Sequence, residues 1–223
     1  MQRIIVITGT DTGVGKTVLT ALLATHLRAS GHSVAAVKPI CSGGRDDARV
    51  LHRALRGALK FNEINPWHFR AGLAPLLAAR MERKRIELRE VVAHVHAISQ
   101  QFQFLLVEGA GGLLSPLGEH FSTRELIGAL GADVIVVARN QLGAVNQVRL
   151  TLEALPPIVS ARVRVVLRSL RGNDTVSRAN PKLLGEFMPF EHVHSLPFFA
   201  RAGQLTKDRL SPRVRRTLNE LLQ

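Results

Sequence analysis

A glycine-rich segment near the start of the chain, Gly9–Thr17 with the sequence GTDTGVGKT, constrains the fold more than any other feature. It follows an apolar run, Ile4–Ile7, that is typical of a buried strand, and it leads into an apolar run that is typical of a helix. Such a turn directs several backbone N–H groups and the positive end of the helix dipole at one place, which attracts phosphate. Lys16 can reach the β- and γ-phosphates of a nucleotide, and the Thr17 hydroxyl can hold Mg²⁺. The segment therefore predicts a phosphate-binding loop, although it has five residues rather than the usual four between its first glycine and the Gly-Lys pair.

Apolar segments of strand length alternate with helix-like segments along the whole chain. Several of the strands are continuously apolar, which indicates a parallel sheet covered on both faces. We therefore predict an α/β fold of the P-loop NTPase-like type, a single domain of residues 1–223 with a mostly parallel central sheet and helices on both faces. The predicted strands are residues 3–8, 33–38, 104–108, 134–138, 163–167 and 192–196. The predicted helices are 17–30, one beginning near 47, 87–101, one ending near 130, 143–155 and 212–222, whereas 40–46 and 60–74 are predicted to be irregular.

Three predicted strands end in residues suited to phosphate chemistry. In open parallel sheets, ligands bind outside the carboxyl ends of the strands. Gly9–Thr17, Lys38–Ser42 and Glu108–Gly112 each follow a strand, so we expect them to border one cleft. Lys38 would bring a second positive charge to a transferring phosphoryl group.

Carboxylates near the strand ends are the expected Mg²⁺ ligands, because a phosphate loop needs partners for the metal beyond its own threonine. Glu108 ends a buried strand and precedes a glycine-rich turn, which makes it the first candidate. Asp46 and Asp47 are further candidates, and the sequence leaves open which of them reaches the metal. Asp47 could also be a helix N-cap.

Composition bounds the partners and the compartment. The net charge of +13 could belong to a nucleic-acid-binding surface, but the basic residues are scattered and the chain has no tyrosine. We interpret the charge as a solvated basic surface and predict no nucleic-acid partner. One cysteine, no apolar run long enough to cross a bilayer and no secretory signal favour a cytoplasmic protein without a membrane partner.

Four motifs together resemble one family, dethiobiotin synthetase. They are GTDTGVGKT at residues 9–17, KPICSG at 38–43, VEGAGG at 107–112 and LGAVN at 142–146. The resemblance implies an ATP-dependent ligase of biotin synthesis. Its substrates would be 7,8-diaminononanoate, CO₂ (as bicarbonate) and ATP, and Mg²⁺ would be its metal. One amine would capture CO₂ as a carbamate, ATP would phosphorylate the carbamate, and the second amine would close the ring.

The resemblance also implies roles for individual residues. Lys16 and Lys38 would be catalytic, and Mg²⁺ would be held by Thr17, Asp47 and Glu108. The family forms homodimers, which implies a site completed across the interface by the helix start of the partner subunit. The residues implied for ATP are Gly13, Val14, Gly15, Lys16, Thr17, Val18, Glu108, Gly111, Arg168, Leu196 and Pro197. Those implied for the diamine are Thr12, Lys38, Ser42, Gly111, Gly143, Ala144 and Asn146.

One position departs from the family pattern. Arg168 stands where many relatives have an asparagine that contacts the adenine. Arginine has no acceptor group, although it could stack on a base, so the sequence leaves the base preference open. An alternative function is a partitioning-type ATPase that binds DNA, because such proteins share the unusual phosphate loop and the chain is basic.

Overall fold

A six-stranded sheet forms the centre of the molecule. The structure is a computed structural model that describes residues 2–158, 163–169, 174–189, 192–197 and 210–223. Every pair of neighbouring strands in this sheet is parallel, and the strand order is β10-β9-β8-β1-β5-β2. The strands are β1 (Arg3–Gly9), β2 (Val34–Val37), β5 (Phe104–Glu108), β8 (Asp133–Arg139), β9 (Val163–Arg168) and β10 (Val193–Leu196).

The inner strands are buried because their residues are apolar on both faces. Ile5, Val6 and Ile7 of β1 are at most 1% exposed, and residues 105–107 of β5 are equally buried. Two groups of helices pack on these strands: α1 with α2 and α9, and α5 with α6. The helices are α1 (Lys16–Ala29), α2 (Asp46–Leu55), α3 (Phe61–Ile64), α4 (Pro75–Met81), α5 (Leu88–Ser99), α6 (Thr123–Leu130), α7 (Ala144–Glu153), α8 (Thr175–Leu184) and α9 (Pro212–Glu220).

The predicted irregular segments are partly wrong. Residues 40–46 contain strand β3 (Ile40–Ser42), and residues 60–74 contain α3 and strand β4 (Trp67–Phe69). β3 and β4 pair in parallel as a second, two-stranded sheet. Both strands have three residues, too few to show a hydrophobic period, so only their tertiary pairing defines them. A two-stranded antiparallel sheet of β6 (Pro116–Gly118) and β7 (Phe121–Ser122) is also additional to the predicted elements.

The start of α6 follows from its sequence. Ser122 is the N-cap, and its hydroxyl accepts a hydrogen bond from the Arg124 backbone N–H at 3.1 Å. The Glu125 carboxylate accepts the backbone N–H of Ser122 at 2.8 Å in return. This reciprocal pair is a capping box, which satisfies two backbone donors that the helix leaves free. Within the described ranges, no helix is both long and apolar enough to cross a bilayer.

Candidate active site

The phosphate loop lies between β1 and α1 and depends on glycine for its shape. Gly13 and Gly15 have φ values of 71° and 109°, a left-handed region that side chains disfavour. A Cβ atom on Gly9 would lie 2.6 Å from a methyl group of Val14, so the loop also folds back closely on the strand. The buried Lys16 ammonium donates to the Asp11 carbonyl at 2.8 Å. The loop is therefore a preformed turn with its lysine held inward.

Side chains from four separate elements meet beside the loop. The Thr17 hydroxyl donates to Oε1 of Glu108 at 2.7 Å, and the same oxygen accepts from the Lys38 ammonium at 2.9 Å. Lys38 also donates to the carboxylate of Asp47. Thr17 begins α1, Glu108 ends β5, Lys38 follows β2 and Asp47 lies in the first turn of α2. The sequence expectation that these segments border one cleft agrees with these contacts.

The charged groups in this cluster shift one another's pKa values. Burial acts to lower the pKa of Lys38, but Glu108 and Asp47 outweigh burial and raise that pKa above its ordinary value. Burial also acts to raise the pKa of Asp47, yet Lys38 outweighs it and the pKa is lowered. For Lys16, burial is the larger effect and lowers its pKa to about 8 despite the attraction of Glu108. Lys38 is thus already neutralised by carboxylates, whereas Lys16 would gain most from a bound anion.

The cluster has the donor set of a magnesium site. Oε2 of Glu108 is buried and has no hydrogen-bond partner among the described residues, so a coordination position on this carboxylate is free. The Thr17 hydroxyl and the half-exposed Asp47 carboxylate are the other oxygen donors. The described part of the chain contains no group of three or more His, Cys, Asp or Glu side chains suited to a metal. A cation here would therefore need oxygens from a nucleotide as well, which is typical of Mg²⁺ at phosphate loops.

Asp46 and Asp47 have different surroundings, although they are adjacent. The Asp46 side chain is 86% exposed and pairs with Arg49 one turn along α2. Asp47 faces the cleft and contacts Lys38. Neither is the N-cap of α2, because Arg45 occupies that position. Of the two candidates, Asp47 is the one that lies at the site.

Three of the residues expected at the diamine are Thr12 in the phosphate loop, Ser42 in β3 and Gly111 in the turn after β5. The Ser42 hydroxyl donates to the Leu73 carbonyl. Gly111 has a φ of 72°, and a Cβ atom there would lie 2.3 Å from the Ser115 hydroxyl and 3.9 Å from the Thr12 hydroxyl. The glycine-rich turn after β5 therefore passes close to the phosphate loop, where a larger residue at Gly111 would not fit.

Two arginines contact the loop from its other side. Arg139 ends β8 and donates to the Gly13 carbonyl at 3.3 Å, and Arg168 ends β9 and donates to the Val14 carbonyl at 3.5 Å. A Cβ atom on Gly15 would lie 2.4 Å from the Arg168 guanidinium. Burial, and then the charge of Arg139, lower the pKa of Arg168. Arg139 is not among the residues predicted from the sequence, although its position at the end of an apolar strand could have indicated it.

The remaining residues expected at ATP or the diamine lie at neighbouring strand ends and at the start of α7. Leu196 is buried beside Arg168 in the sheet register, Pro197 is exposed, and Val18 lies half-buried in the first turn of α1. Gly143 is the N-cap of α7 with a φ of 87°, Ala144 is buried, and Asn146 is exposed. In the described ranges, no hydrogen bond or ion pair joins Gly143, Ala144 or Asn146 to Lys38 or Glu108.

A glycine loop with an inward lysine, faced by a hydroxyl and two carboxylates from neighbouring elements, defines the class of P-loop nucleotide-binding proteins. A family model described as an AAA domain matches residues 3–202. The MinD cell division protein of Aquifex aeolicus has a similar structure, with a TM-score of 0.61 at 16% identity over 99% of this chain and 97% of that chain. A pNOB8 ParA structure bound to nonspecific DNA gives a TM-score of 0.59 at 14% identity over 100% and 98%. At these identities the likeness shows the fold alone.

Curated relatives define the family more closely. An ATP-dependent dethiobiotin synthetase BioD of Anaeromyxobacter sp. (strain Fw109-5) is 45% identical over 69% of this chain and 71% of its own length. Those of Anaeromyxobacter sp. (strain K) and Bacillus subtilis are 38% and 33% identical, over 88% and 80% of this chain and 91% and 80% of their own lengths. The chain belongs to the dethiobiotin synthetase family. The predicted family, the α/β fold with its parallel sheet and the identification as an ATP-using ligase are thereby confirmed.

Proposed function

We propose that the chain joins 7,8-diaminononanoate to CO₂ at the expense of ATP and releases dethiobiotin, ADP and phosphate, as a step of biotin synthesis. The observation that supports this most is the contact of Lys38 with Glu108, which in turn accepts from Thr17 of the phosphate loop, at 2.9 and 2.7 Å. It brings a second lysine to the place where the terminal phosphate of a nucleotide would lie. Family membership supplies the reaction.

The chemistry needs positioned charges and no protein nucleophile. One amine nitrogen attacks CO₂ and loses a proton, which gives a carbamate. A carbamate oxygen attacks the γ-phosphorus, and the bond from that phosphorus to ADP breaks. The second amine then attacks the carbamic carbon, phosphate leaves, a proton is lost, and the cyclic urea is complete. Negative charge accumulates at the transferring phosphoryl group throughout, so fixed cations stabilise the transition states.

Lys16 and Lys38 are the catalytic residues of this proposal. Lys16 is buried, and its lowered pKa of about 8 rises again when a phosphate lies beside it. Lys38 is held by two carboxylates on the side where the carbamate would lie. Mg²⁺, held by Thr17, Asp47 and Glu108, would neutralise charge on the β- and γ-phosphates.

The nucleotide lies along the phosphate loop in this proposal. Backbone groups of residues 13–18 contact its phosphates, Glu108 and Gly111 lie beside the terminal phosphate, and Arg168, Leu196 and Pro197 lie toward the base. The diamine occupies the opposite side of the cleft, between Thr12, Lys38, Ser42 and Gly111.

A second copy of the chain completes the site. The helix start Gly143, Ala144 and Asn146 of one subunit would receive the substrate carboxylate in the cleft of the other, because backbone N–H groups and the helix dipole favour an anion there. Leu142, directly before this helix start, is 87% exposed, which suits a contact surface. We place this homodimer in the cytoplasm, where ATP is available, with residues 1–223 acting as one domain.

Product formation tests the proposal. The protein is incubated with ATP, MgCl₂, [¹³C]bicarbonate and the diamine, and the products are separated and weighed by mass spectrometry. We expect dethiobiotin one mass unit heavier than the unlabelled compound, in amounts equal to the ADP formed. ATP hydrolysis without any dethiobiotin would contradict the proposal.

The DNA-binding alternative has less support. The ParA-like structures share the fold at 14–16% identity, and the net charge of +13 is the remaining argument for it. A shift assay with duplex DNA across a salt series tests it directly, since binding through phosphates weakens steeply with salt. We expect no binding even at low salt.

A further inference from the structure

A buried asparagine lies directly behind the cleft, between α3 and β4. Asn65 is 1% exposed. Its side-chain amide N–H groups donate to the carbonyls of Lys38 at 2.8 Å and of Pro39 at 3.3 Å. The backbone N–H of Lys38 also donates to the carbonyl of Ile64, the residue before this asparagine, at 2.9 Å. The backbone on both sides of the Lys38 Cα atom is therefore held by residues 64 and 65.

The other end of the same side chain binds the residue that starts α2. Oδ1 of Asn65 accepts from Nε of Arg45 at 3.0 Å, and the Asn65 backbone carbonyl accepts from Nη2 of Arg45 at 2.8 Å. The Arg45 guanidinium also lies over the Phe61 ring, 4.3 Å from its centre. Arg45 is the N-cap residue of α2, two residues before Asp47. The asparagine thus links the backbone of the cleft lysine to the beginning of the helix that carries the cleft aspartate.

The asparagine side chain uses its full hydrogen-bonding capacity. Both amide N–H groups are taken by carbonyls, and Oδ1 accepts from the Cys41 thiol at 3.2 Å as well as from Arg45. A flipped amide would set its oxygen against the Lys38 and Pro39 carbonyls and its N–H groups against the arginine, so only one orientation is satisfied. A fully satisfied buried amide fixes the groups around it.

This linkage matters because Lys38 and Asp47 belong to different elements and yet touch. Lys38 follows β2, Asp47 lies in α2, and their side chains form an ion pair. The linkage from Asn65 to Arg45 sets how far the helix start lies from the lysine backbone. Among the described hydrogen bonds, none joins the phosphate loop to Asn65 or to Arg45.

We infer that Asn65 and Arg45 are positioning residues of the acceptor side: together they hold Lys38 and Asp47 in the geometry that phosphoryl transfer requires, and they do so independently of the phosphate loop. The inference rests on the proposed ligase function. Loss of the linkage would disturb the carbamate and metal side, whereas nucleotide binding by the phosphate loop would remain. The two effects can therefore be measured separately.

Two substitutions break the linkage in different ways. Asn65→Asp keeps the size of the side chain and its acceptors but removes both donors to the Lys38 and Pro39 carbonyls. Arg45→Lys keeps the charge but replaces the two guanidinium nitrogens that bind Oδ1 and the backbone carbonyl of Asn65 with a single ammonium nitrogen. Matched controls are Asn219→Asp, at the far end of α1, where this residue contacts His26, and Arg53→Lys, exposed two turns along α2.

We expect kcat for dethiobiotin to fall about 10- to 100-fold in both linkage variants, the usual effect of losing an outer-shell partner, while the affinity for metal-free ATP, measured by calorimetry with EDTA, stays within twofold of the unmodified protein. Mn²⁺ affinity, measured by electron paramagnetic resonance with a non-hydrolysable ATP analogue bound, falls with kcat because Asp47 is displaced. We expect the controls Asn219→Asp and Arg53→Lys to leave both kcat and the Mn²⁺ affinity unchanged. If Asn65→Asp does not fold, Arg45→Lys alone decides the question.

Unchanged kcat and Mn²⁺ affinity in the linkage variants would overturn the inference, and so would a loss of affinity for metal-free ATP that matches the loss of kcat. An unmodified protein that makes no dethiobiotin would contradict the proposed function instead. In that event the Mn²⁺ affinities, which need no turnover, still decide for or against the linkage.

Discussion

The two sides of the phosphate loop differ in charge and in how their side chains are engaged. On one side, which we call the acidic side, Lys38, Asp47 and Glu108 form a cluster in which each charge has an opposite partner within contact distance. On the other, the arginine side, Arg139 and Arg168 contact carbonyls of the loop itself at 3.3 and 3.5 Å. In the proposed function, the first arrangement would provide acids for a metal and a lysine for the acceptor. The second supports the loop and adds positive charge.

The difference indicates that the acidic side and the arginine side of the phosphate loop have different roles. Short ion pairs among buried groups demand defined geometry, so substitutions on the acidic side should affect the chemical step. Longer contacts from partly exposed arginines to carbonyls tolerate more movement, so substitutions on the arginine side should affect nucleotide binding more than turnover. Lys16 lies in the phosphate loop between the two sides, so we expect its substitution to reduce activity the most.

Lys16→Ala is expected to have the largest effect. It removes the cation that we propose lies nearest the transferring phosphoryl group, and loss of one such stabilising group costs about 2.7–4 kcal/mol, a fall in kcat of about 10²- to 10³-fold. Steady-state kinetics of dethiobiotin formation measure it, with Lys182→Ala on the exposed face of α8 as the control. Normal turnover in Lys16→Ala would show that the loop is not where the chemistry occurs.

Glu108→Gln is expected to come next, on the acidic side. It removes the charge that joins Thr17 to Lys38 and weakens the proposed metal site, so kcat should fall about 10- to 100-fold and the Mg²⁺ concentration for half-maximal rate should rise. The buried pair is also broken, which lowers the free energy of unfolding by up to about 3 kcal/mol. Magnesium titrations and thermal unfolding measure both changes. The exposed Glu153→Gln is the control, and an unchanged magnesium requirement would argue against a metal role.

Arg139→Gln probes the arginine side. The substitution removes a charged donor to the Gly13 carbonyl, so we expect KM for ATP to rise about tenfold, equivalent to about 1.4 kcal/mol, with kcat changed less. Equilibrium binding of ATP by calorimetry gives the same quantity without turnover. The exposed Arg178→Gln serves as the control. A fall in kcat at constant ATP affinity would contradict the claim that the arginine side affects nucleotide binding more than the chemical step.

Arg168→Asn should have the smallest effect, and we expect it to appear as a change in the choice of base. Arginine only donates hydrogen bonds, whereas asparagine can also accept one from the amino group of adenine. We expect the preference for ATP over GTP to increase about fivefold, or about 1 kcal/mol, the low end of the discrimination given by one base contact. The ratio of kcat/KM for the two nucleotides measures it. An unchanged ratio would mean that this residue contacts the loop but not the base.

The long strands and their ends were predictable, because a continuously apolar segment followed by a charged or glycine-rich turn has a clear physical meaning in a parallel sheet. Lys38 and Glu108 were located in this way. Asp47 could not be separated from Asp46 by sequence, since adjacent residues of one helix turn differ only in the direction that packing gives them. Packing gives the two side chains different surroundings: that of Asp46 is exposed, and that of Asp47 contacts Lys38.

The short elements and the indirect contacts were not predictable. β3 and β4 are three residues each and exist because they pair with each other. Asn65 belongs to no sequence motif. It lies in residues 60–74, which the pattern of apolar residues predicts only to be irregular, so its position behind Lys38 could not be inferred. Arg139 has a sequence signal in its place at a strand end, but its contact with Gly13 follows from the strand order, which places β8 beside β1.

The fate of the oxygen atoms of CO₂ tests the central claim most directly, because ligation and simple ATP hydrolysis differ in the atom that attacks the γ-phosphorus. The unmodified protein is mixed briefly with the diamine, ATP, Mg²⁺ and ¹⁸O-labelled CO₂, before CO₂ exchanges oxygen with water, and the released phosphate is analysed by mass spectrometry. The account predicts one ¹⁸O atom in each phosphate, since the attacking carbamate oxygen leaves with phosphorus when the ring closes. Phosphate without ¹⁸O, in which the fourth oxygen comes from water and the other three from ATP, would contradict it and identify a hydrolytic ATPase.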